Sequence, residues 1–252
     1  GFEIAEADLK LRGPGIIDIC GKMRPEVGWG KIIWGLQDVP TIGVDPLTHA
    51  DHFQSLSMWR TTDAVESWSW EGCEGKHTLA TVYSDAPVVE LLVNGQSLGK
   101  KKTKQDMAKF KKVTYQEGQI EAVAYDASGK ETGRSKLVSA SGKTKISLRP
   151  ECQSLRANGQ DLCFLNIDLV GENGITKSSV DQVLKVEVTG AGCLQGYGSA
   201  RPNIADDFVS DQHKTFLGKS LAVIRAGYET GCIHVKVSGE GLESVETDIS
   251  VS

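Results

Sequence analysis

Apolar and polar residues alternate in short segments along most of the chain beyond about residue 58, and glycine-containing turns separate these segments. Alternation with a period of two is typical of β-strands that bury one face. Asn94-Gly95 lies between two such segments and predicts a two-residue type I′ hairpin. The predicted strands are 68–70, 77–84, 88–93, 97–101, 110–114, 119–125, 133–139, 145–148, 162–170, 183–189, 216–224, 232–237 and 245–251.

The pattern is different in residues 1–57, which do not form a plausible independent domain. Arg24-Pro25-Glu26 places a proline at a first helical position and an acid in the first turn. Apolar residues at helical spacing follow as far as Gly35 and predict one short amphipathic helix. These large side chains have little local surface against which to pack, so we expect them to contact a later part of this chain or a structure outside it.

The strand segments divide into two groups at a short hinge, Ser139-Ala140-Ser141-Gly142-Lys143. Strands that recur about every 8 to 12 residues, with glycine turns between them, are typical of immunoglobulin-like β-sandwiches. We therefore predict a mainly β fold with two such sandwiches, at 58–142 and 143–252, behind the lead segment 1–57.

Composition excludes several classes of protein. The 252 residues carry a net charge of −5 and contain no long apolar run, which argues against a membrane protein and against nucleic-acid binding. One lysine cluster interrupts the acidic balance, and we interpret it as a solvated strand edge that deters strand pairing. Its members are Lys100, Lys101, Lys102, Lys104, Lys109, Lys111 and Lys112.

The six cysteines are widely and irregularly spaced, which disfavours a zinc ribbon. A disulfide between Cys163 and Cys232 is also disfavoured, because alternation places Cys163 on the inner face of its strand and Cys232 on the outer face of another. No asparagine begins a glycosylation sequon and no signal peptide is present, which favours the cytoplasm only slightly. The chain begins with Gly1 rather than Met, so the N-terminus is expected to be a cut edge and the compartment stays open.

No motif for catalysis, a metal or a cofactor is found. His49-Ala50-Asp51-His52 offers three potential ligands, but they lie in one short segment, and we interpret it as a polar loop. Gly196-Tyr197-Gly198-Ser199-Ala200 lacks the Gly-Lys-Ser/Thr of a phosphate-binding loop and is predicted to be an ordinary loop.

All five tryptophans lie in the first 70 residues. Trp59, Trp68 and Trp70 are the best candidates for a binding surface, because paired indoles can stack on sugar rings. The same residues equally suit a core or an interface with another domain, and packing is the favoured interpretation.

Several motifs resemble glycoside hydrolase family 2 enzymes, most of them β-galactosidases. The segment Val89-Glu90-Leu91-Leu92-Val93-Asn94-Gly95-Gln96-Ser97-Leu98-Gly99 is the most specific, and Trp68-Ser69-Trp70-Glu71-Gly72 precedes it. Both are similar to the sandwich domain that follows the catalytic barrel in that family. Leu155-Arg156-Ala157-Asn158-Gly159-Gln160-Asp161-Leu162 is similar to the last sandwich domain of the family. One difference is that Ser199-Ala200-Arg201-Pro202 stands where the family often has Asn-Gly-Asp-Pro.

The resemblance implies that residues 22–36 form the last helix of a (β/α)8 barrel whose remainder lies upstream. Family members carry their two catalytic glutamates on that barrel, and the acid/base glutamate follows an asparagine. No Asn-Glu dipeptide occurs here, so the resemblance implies no catalytic residue in this chain.

Two functions compete. The first is a non-catalytic C-terminal part of a β-galactosidase-like enzyme, which braces the catalytic barrel of the parent chain, leaves an apolar patch around residues 25–36 and self-associates when isolated. The alternative is a stand-alone carbohydrate-binding or adhesion module that binds a galactoside or polysaccharide through exposed tryptophans. A purely structural interaction domain is a weaker third possibility.

Overall fold

The computed structural model describes residues 16–49, 62–201 and 207–252. The chain divides into two compact units, Gly1–Ser139 and Ala140–Ser252. Among the described residues, no helix has the length and apolar character needed to cross a membrane.

Within its described residues, 16–49 and 62–139, the first unit contains one helix and seven strands. The helix α1 spans Pro25–Ile33. The strands are β1 Thr41–Val44, β2 His77–Tyr83, β3 Val88–Val93, β4 Gln96–Lys102, β5 Met107–Thr114, β6 Gln119–Tyr125 and β7 Glu131–Val138. They form two antiparallel sheets, with strand orders β1-β2-β5 and β4-β3-β6-β7. Alternate residues of β3 and β6, such as Val89, Leu91 and Ile120, are buried.

Nine strands are found in the second unit outside residues 202–206, which the structure does not describe. They are β8 Lys145–Pro150, β9 Ser154–Leu155, β10 Leu162–Val170, β11 Val183–Gly190, β12 Gly192–Gly198, β13 Gln212–Lys214, β14 Lys219–Ala226, β15 Gly231–Gly239 and β16 Val245–Val251. The two sheets have the orders β12-β14-β10-β8 and β13-β11-β15-β16-β9. One buried cluster joins Leu165, Ile167 and Ile224 of the first sheet to Val186 and Val235 of the second, so the sheets face each other across a shared core.

The mainly β, sandwich-type fold predicted from alternation is confirmed, and several strand bounds match as well. The predicted strands at 88–93, 119–125, 162–170 and 245–251 are observed with those bounds. Asn94 and Gly95 have φ angles of 49° and 80°, as a type I′ turn requires.

Other predictions about strands are wrong. Trp68–Trp70 is not a strand, and the strand predicted at 216–224 begins only at Lys219, because Leu217 and Gly218 have positive φ in the preceding turn. Gly196–Gly198 is the end of β12 rather than a loop. The ring of Phe208 lies where a Cβ at Gly198 would project, so glycine is needed for this close packing.

The cysteines agree with the alternation argument. Cys163 is buried and forms a disulfide with Cys152, with a Cα–Cα distance of 5.8 Å. Cys232 is a free cysteine. The bridge between Cys163 and Cys232 that the strand pattern disfavoured is therefore not formed.

Candidate functional site: an apolar surface beside the helix

The segment before α1 is held in a compact turn. Asp18 accepts hydrogen bonds through Oδ1 from the backbone amides of Cys20 and Lys22, each at 2.9 Å. The Arg24 amide donates to the Ile16 carbonyl at 2.9 Å. Burial raises the pKa of the Cys20 thiol to about 12, with the Asp18 carboxylate as a second cause, so this thiol is protonated at neutral pH. The turn positions Ile17 and Ile19 with their side chains exposed.

The helix begins at Pro25, as the sequence predicts, and its last residue is Ile33, two residues before the predicted end at Gly35, so it is shorter than the helix over 22–36 that the resemblance implied. Pro25 occupies the first helical position after Arg24, and Glu26 lies in the first turn, where it interacts favourably with the helix dipole. At the other end, the Gly35 amide donates to Ile32 O at 3.0 Å and the Leu36 amide to Lys31 O at 2.8 Å. Gly35 has a φ of 64°, so the helix ends in a Schellman motif. This motif fixes the backbone on both sides of the glycine.

One face of α1 packs on β1 and β2. Pro25, Glu26, Gly28 and Ile32 are buried. Trp29 is half-buried, and its ring lies 6.1 Å from that of Tyr83 at the end of β2. Burial raises the pKa of the Tyr83 hydroxyl, and the nearby carboxylates of Glu26 and Asp45 raise it further. The phenol is therefore neutral at any physiological pH.

Several large apolar side chains of α1, and of the segments directly before and after it, are exposed to solvent. Trp34 is 80% exposed, Leu36 is 75% exposed and Ile19 is 72% exposed. Of the fifteen exposed large hydrophobic residues in the described ranges, eight lie between positions 16 and 39, which makes this concentration a candidate interaction surface. We call these eight residues the apolar surface: Ile16, Ile17, Ile19, Met23, Ile33, Trp34, Leu36 and Val39.

A groove of about 450 Å³ adjoins the apolar surface within the first unit. Met23 and Val39 belong to both, and Lys31 adds a cation to one wall. Glu66 and Ser135–Leu137 of β7 also line the groove. The groove therefore combines apolar side chains with charged groups.

Trp68 and Trp70, two of the three candidate binding residues, lie in the core of the first unit. Both are fully buried. The Trp68 ring packs edge-on against Tyr115 at 5.0 Å, and its Nε1 donates to the Gln116 carbonyl at 3.0 Å. The Trp70 amide donates to the Tyr115 hydroxyl at 3.1 Å, and Ser139 Oγ donates to the Trp68 carbonyl. Neither indole offers a face to a sugar.

The other candidate residues are only partly described. Trp59 lies outside the described residues, as do Asp51 and His52 of the His49-Ala50-Asp51-His52 segment. His49 has a φ of 64°, and its Nδ1 lies 2.7 Å from Thr48 Oγ1. In the Ser199-Ala200-Arg201-Pro202 segment, Ser199 is buried and Pro202 lies outside the described residues.

The lysine cluster follows strand edges, as predicted. β4 is the edge strand of its sheet, and all seven of its residues are exposed. The Lys101 ammonium lies 4.7 Å from the centre of the Phe110 ring and donates to the Lys109 carbonyl at 2.8 Å. The Lys100 ammonium lies 3.6 Å from the centre of the Tyr125 ring. These long side chains cover the open edge with charge.

Comparison with known proteins finds a match in each unit. Residues 146–248 match the glycoside hydrolase family 2 C-terminal domain 5, and residues 75–133 match a domain of unknown function, DUF4982. The β-galactosidase BoGH2A of Bacteroides ovatus is 29% identical over 184 residues, which cover 73% of this chain and 21% of that protein.

Solved structures give the same result. A glycosyl hydrolase family 2 member from Bacteroides cellulosilyticus superposes with a TM-score of 0.82 at 30% identity, covering 94% of this chain and 31% of that one. A second structure of a family 2 member, from strain DSM 14838 of that species, gives a TM-score of 0.81 at 29% identity and covers 94% and 32%. The chain therefore spans about a fifth to a third of the length of these relatives.

The sandwich fold, the helix that precedes it and these matches agree with one another. Residues 146–248 match a C-terminal domain of glycoside hydrolase family 2, and the chain as a whole is similar to the C-terminal region of family 2 enzymes.

Proposed function

We propose that this chain is the non-catalytic C-terminal part of a β-galactosidase-like enzyme of carbohydrate metabolism, and that it braces the catalytic barrel of a longer protein. The apolar surface is the observation that carries this proposal. A longer parent protein is supported by the relatives, of which this chain spans only a minor part. The β-galactosidase type is supported by the Bacteroides ovatus relative, which bears that name.

The energetics favour burial of the apolar surface against a partner. Transfer of a Trp34-sized or Leu36-sized side chain from water contributes about 1.5 to 3 kcal/mol in a well-packed interface. The Schellman motif fixes the backbone of both residues before a partner arrives, so little backbone entropy is lost when their side chains are covered. A rigid apolar surface of this kind suits a permanent contact between domains better than a transient encounter.

The proposal predicts that the isolated chain has no glycosidase activity, because the family resemblance places both catalytic glutamates on the upstream barrel. The purified chain should release no nitrophenol from nitrophenyl β-galactoside or β-glucuronide. A hydrolysis rate that disappears when one of the chain's own carboxylates is replaced would overturn the proposal.

The bracing role is tested in the longer gene product. Trp34→Ser combined with Leu36→Ser should lower the temperature at which galactosidase activity is lost and leave KM unchanged, because the variant weakens a contact remote from the substrate. Val209→Ser is the matched control, since Val209 is also 80% exposed but belongs to the second unit and is not part of the apolar surface. Equal inactivation temperatures for the double variant and the wild type would contradict bracing.

The isolated chain gives an independent test. An uncovered apolar surface should cause concentration-dependent self-association, measurable by sedimentation velocity. The Trp34→Ser, Leu36→Ser variant should remain monomeric at concentrations where Val209→Ser still associates. A titration with galactosides and plant polysaccharides, followed by tryptophan fluorescence, should give no saturable change; saturable quenching would instead support the stand-alone carbohydrate-binding module.

A further inference from the structure

The outer face of the second unit brings together three side chains with metal-binding chemistry. Cys232 and His234 project from the same face of β15, two residues apart, and Asp248 lies opposite His234 on β16. One potential ligand atom from each residue lies within 4.8 Å of the other two. No other group of three or more Cys, His, Asp or Glu side chains in the described parts of the chain converges in this way.

The thiol of Cys232 and the carboxylate of Asp248 both lie near the same atom, His234 Nδ1. His234 Nδ1 lies 2.7 Å from Asp248 Oδ1 and 3.9 Å from Cys232 Sγ. In a nucleophilic Cys-His-Asp triad, the thiol and the carboxylate contact opposite nitrogens of the imidazole, so that a proton can move through the ring. Here both contact the same nitrogen, so a relay through the ring is not possible. Convergence of three donors on one point is instead the arrangement of a chelate.

We propose that Cys232, His234 and Asp248 form a surface site for a zinc-like divalent ion, with Sγ, Nδ1 and Oδ1 as ligands and water in the fourth position. Thiolate, imidazole and carboxylate together select Zn²⁺ or Co²⁺ over Mg²⁺ and Ca²⁺, which prefer oxygen ligands alone. Tetrahedral zinc, with bonds of about 2.0 to 2.3 Å, separates its ligand atoms by about 3.2 to 3.7 Å. To reach that geometry, the Sγ–Nδ1 distance of 3.9 Å would close slightly, the Nδ1–Oδ1 distance of 2.7 Å would open slightly, and the Sγ–Oδ1 distance, which is within 4.8 Å, would adjust to the same range.

The site is open to solvent, and the neighbouring strand β11 approaches it at a glycine. Gly190 of β11 lies beside the site, where a Cβ would meet the Cys232 carbonyl oxygen and approach His234 Cδ2. Lys236 of β15 is paired with Glu246 of β16, next to the pair formed by His234 and Asp248 on the same face. The Lys236 ammonium lies 3.5 Å from a carboxylate oxygen of Glu246, and this negative charge offsets the repulsion between Lys236 and a bound cation. His234 and Asp248 are 61% and 65% exposed, so an ion can enter from solvent without any rearrangement of the fold.

Ion binding is tested with Co²⁺, added to the full chain under nitrogen after removal of reductant. A thiolate ligand to Co²⁺ produces a near-ultraviolet charge-transfer band, and tetrahedral coordination produces intense visible bands. We expect both in the wild type, and we expect Zn²⁺ to displace the Co²⁺ and abolish them. Absence of the charge-transfer band in the folded wild type would overturn the proposal.

Variants assign the ligands. Cys232→Ser should abolish the charge-transfer band, while His234→Gln and Asp248→Asn should each weaken Co²⁺ binding by at least about tenfold. Cys193→Ser and His77→Gln are matched controls, because both replace exposed residues outside the site, and both should bind as the wild type does. Retention of the band in Cys232→Ser, or its loss in Cys193→Ser, would also refute the proposed site.

A stability measurement adds a second readout. Zn²⁺ that binds the folded state should raise the melting temperature of the second unit in the wild type and in Cys193→Ser. It should have no such effect in Cys232→Ser, whose melting temperature without metal should match that of the wild type, because Cys232 lies outside the core cluster. An equal rise in Cys232→Ser would show that the ion binds elsewhere and would contradict the proposal.

Discussion

Gly28 of α1 lies directly against Thr41 of β1, and a Cβ on Gly28 would overlap the Thr41 side chain at Oγ1, Cγ2 and Cβ. Helix and strand can approach this closely only because position 28 has no side chain. Gly43 of the same strand is enclosed in a similar way between Pro25 and Ala64. The two glycines therefore set the position of the helix, and with it the position of the apolar surface.

The first prediction compares two glycines of one helix. Gly28→Ala should destabilise the first unit by about 1 to 3 kcal/mol, because the added methyl group cannot be accommodated without a backbone shift. Gly30→Ala should instead stabilise it by about 0.5 to 1 kcal/mol, because alanine is the better helix former and the space around Gly30 is open. Urea unfolding of both variants measures the difference, and a similar gain for both would show that the close packing at Thr41 is absent.

A second prediction separates core tryptophans from surface tryptophans. Trp68→Ala should cost the isolated chain about 3 to 5 kcal/mol, because it removes a fully buried ring and the hydrogen bond to Gln116. Trp34→Ala should change stability by less than about 0.5 kcal/mol, because 80% of that residue is already in water. Thermal unfolding of the isolated chain distinguishes the two, and a large loss for Trp34→Ala would mean that Trp34 packs within the chain.

Sequence patterns identified the longer strands in which apolar residues recur at every second position. In β10, Cys163, Leu165, Ile167 and Leu169 form such a row of buried side chains, and the strand was predicted with its observed bounds. The helix was predicted because its two end signals, Pro25 and Gly35, are local. Each of these features depends on residues close together in the chain.

Features that depend on distant packing were missed. β12 contains three glycines and a register shift between Leu194 and Gly196, so its alternation is obscured. Trp68 and Trp70 alternate with Ser69 as in a strand, yet Ser69 is buried as well, so the segment has no solvent face. Cys232 and His234 are two residues apart in the sequence, but Asp248 comes close to them only through the pairing register of β15 and β16.

A third prediction concerns pH. Ser97 Oγ donates to Glu90 Oε1 at 2.6 Å, and the Tyr125 hydroxyl donates to Oε2 at 2.7 Å. These two bonds, the one from Ser97 first, lower the pKa of the Glu90 carboxyl below its ordinary value of 4.5. A carboxyl with a lowered pKa in the folded state contributes stability above its unfolded pKa and loses that contribution as the pH falls through its folded pKa.

Glu90→Gln should therefore lower stability at pH 7 by about 1 kcal/mol, because an amide accepts these hydrogen bonds less strongly than a carboxylate. The difference from the wild type should shrink below about pH 4.5, as the wild-type carboxyl becomes protonated. Urea midpoints measured from pH 7 to pH 3 would show this convergence. Glu246→Gln is the control, because Glu246 is 67% exposed and its ion pair with Lys236 contributes little. A constant difference at every pH would contradict the proposed role of the Glu90 charge.

The last prediction compares two arginine–aspartate pairs of the second unit. Arg149 Nη2 lies 2.6 Å from Asp168 Oδ2, and the Asp168 side chain is only 5% exposed. Among the described residues, Asp168 Oδ1 has no hydrogen-bond partner, so Arg149 is the main group that compensates the buried carboxylate. Arg156 and Asp161 form a pair with a similar N–O distance, 2.9 Å, but Arg156 is 79% exposed and Asp161 is 21% exposed.

Arg149→Ala should destabilise the second unit by about 2 to 3 kcal/mol, because it leaves a buried charge without its partner. Arg156→Ala should cost clearly less than Arg149→Ala, because water solvates the charge that remains. Adding Asp168→Asn to Arg149→Ala should restore part of the loss, since a neutral amide is less costly to bury than a carboxylate. If the double variant is less stable than Arg149→Ala alone, the loss arises from packing of the Arg149 side chain and not from its charge; urea unfolding of the four proteins decides between the two causes.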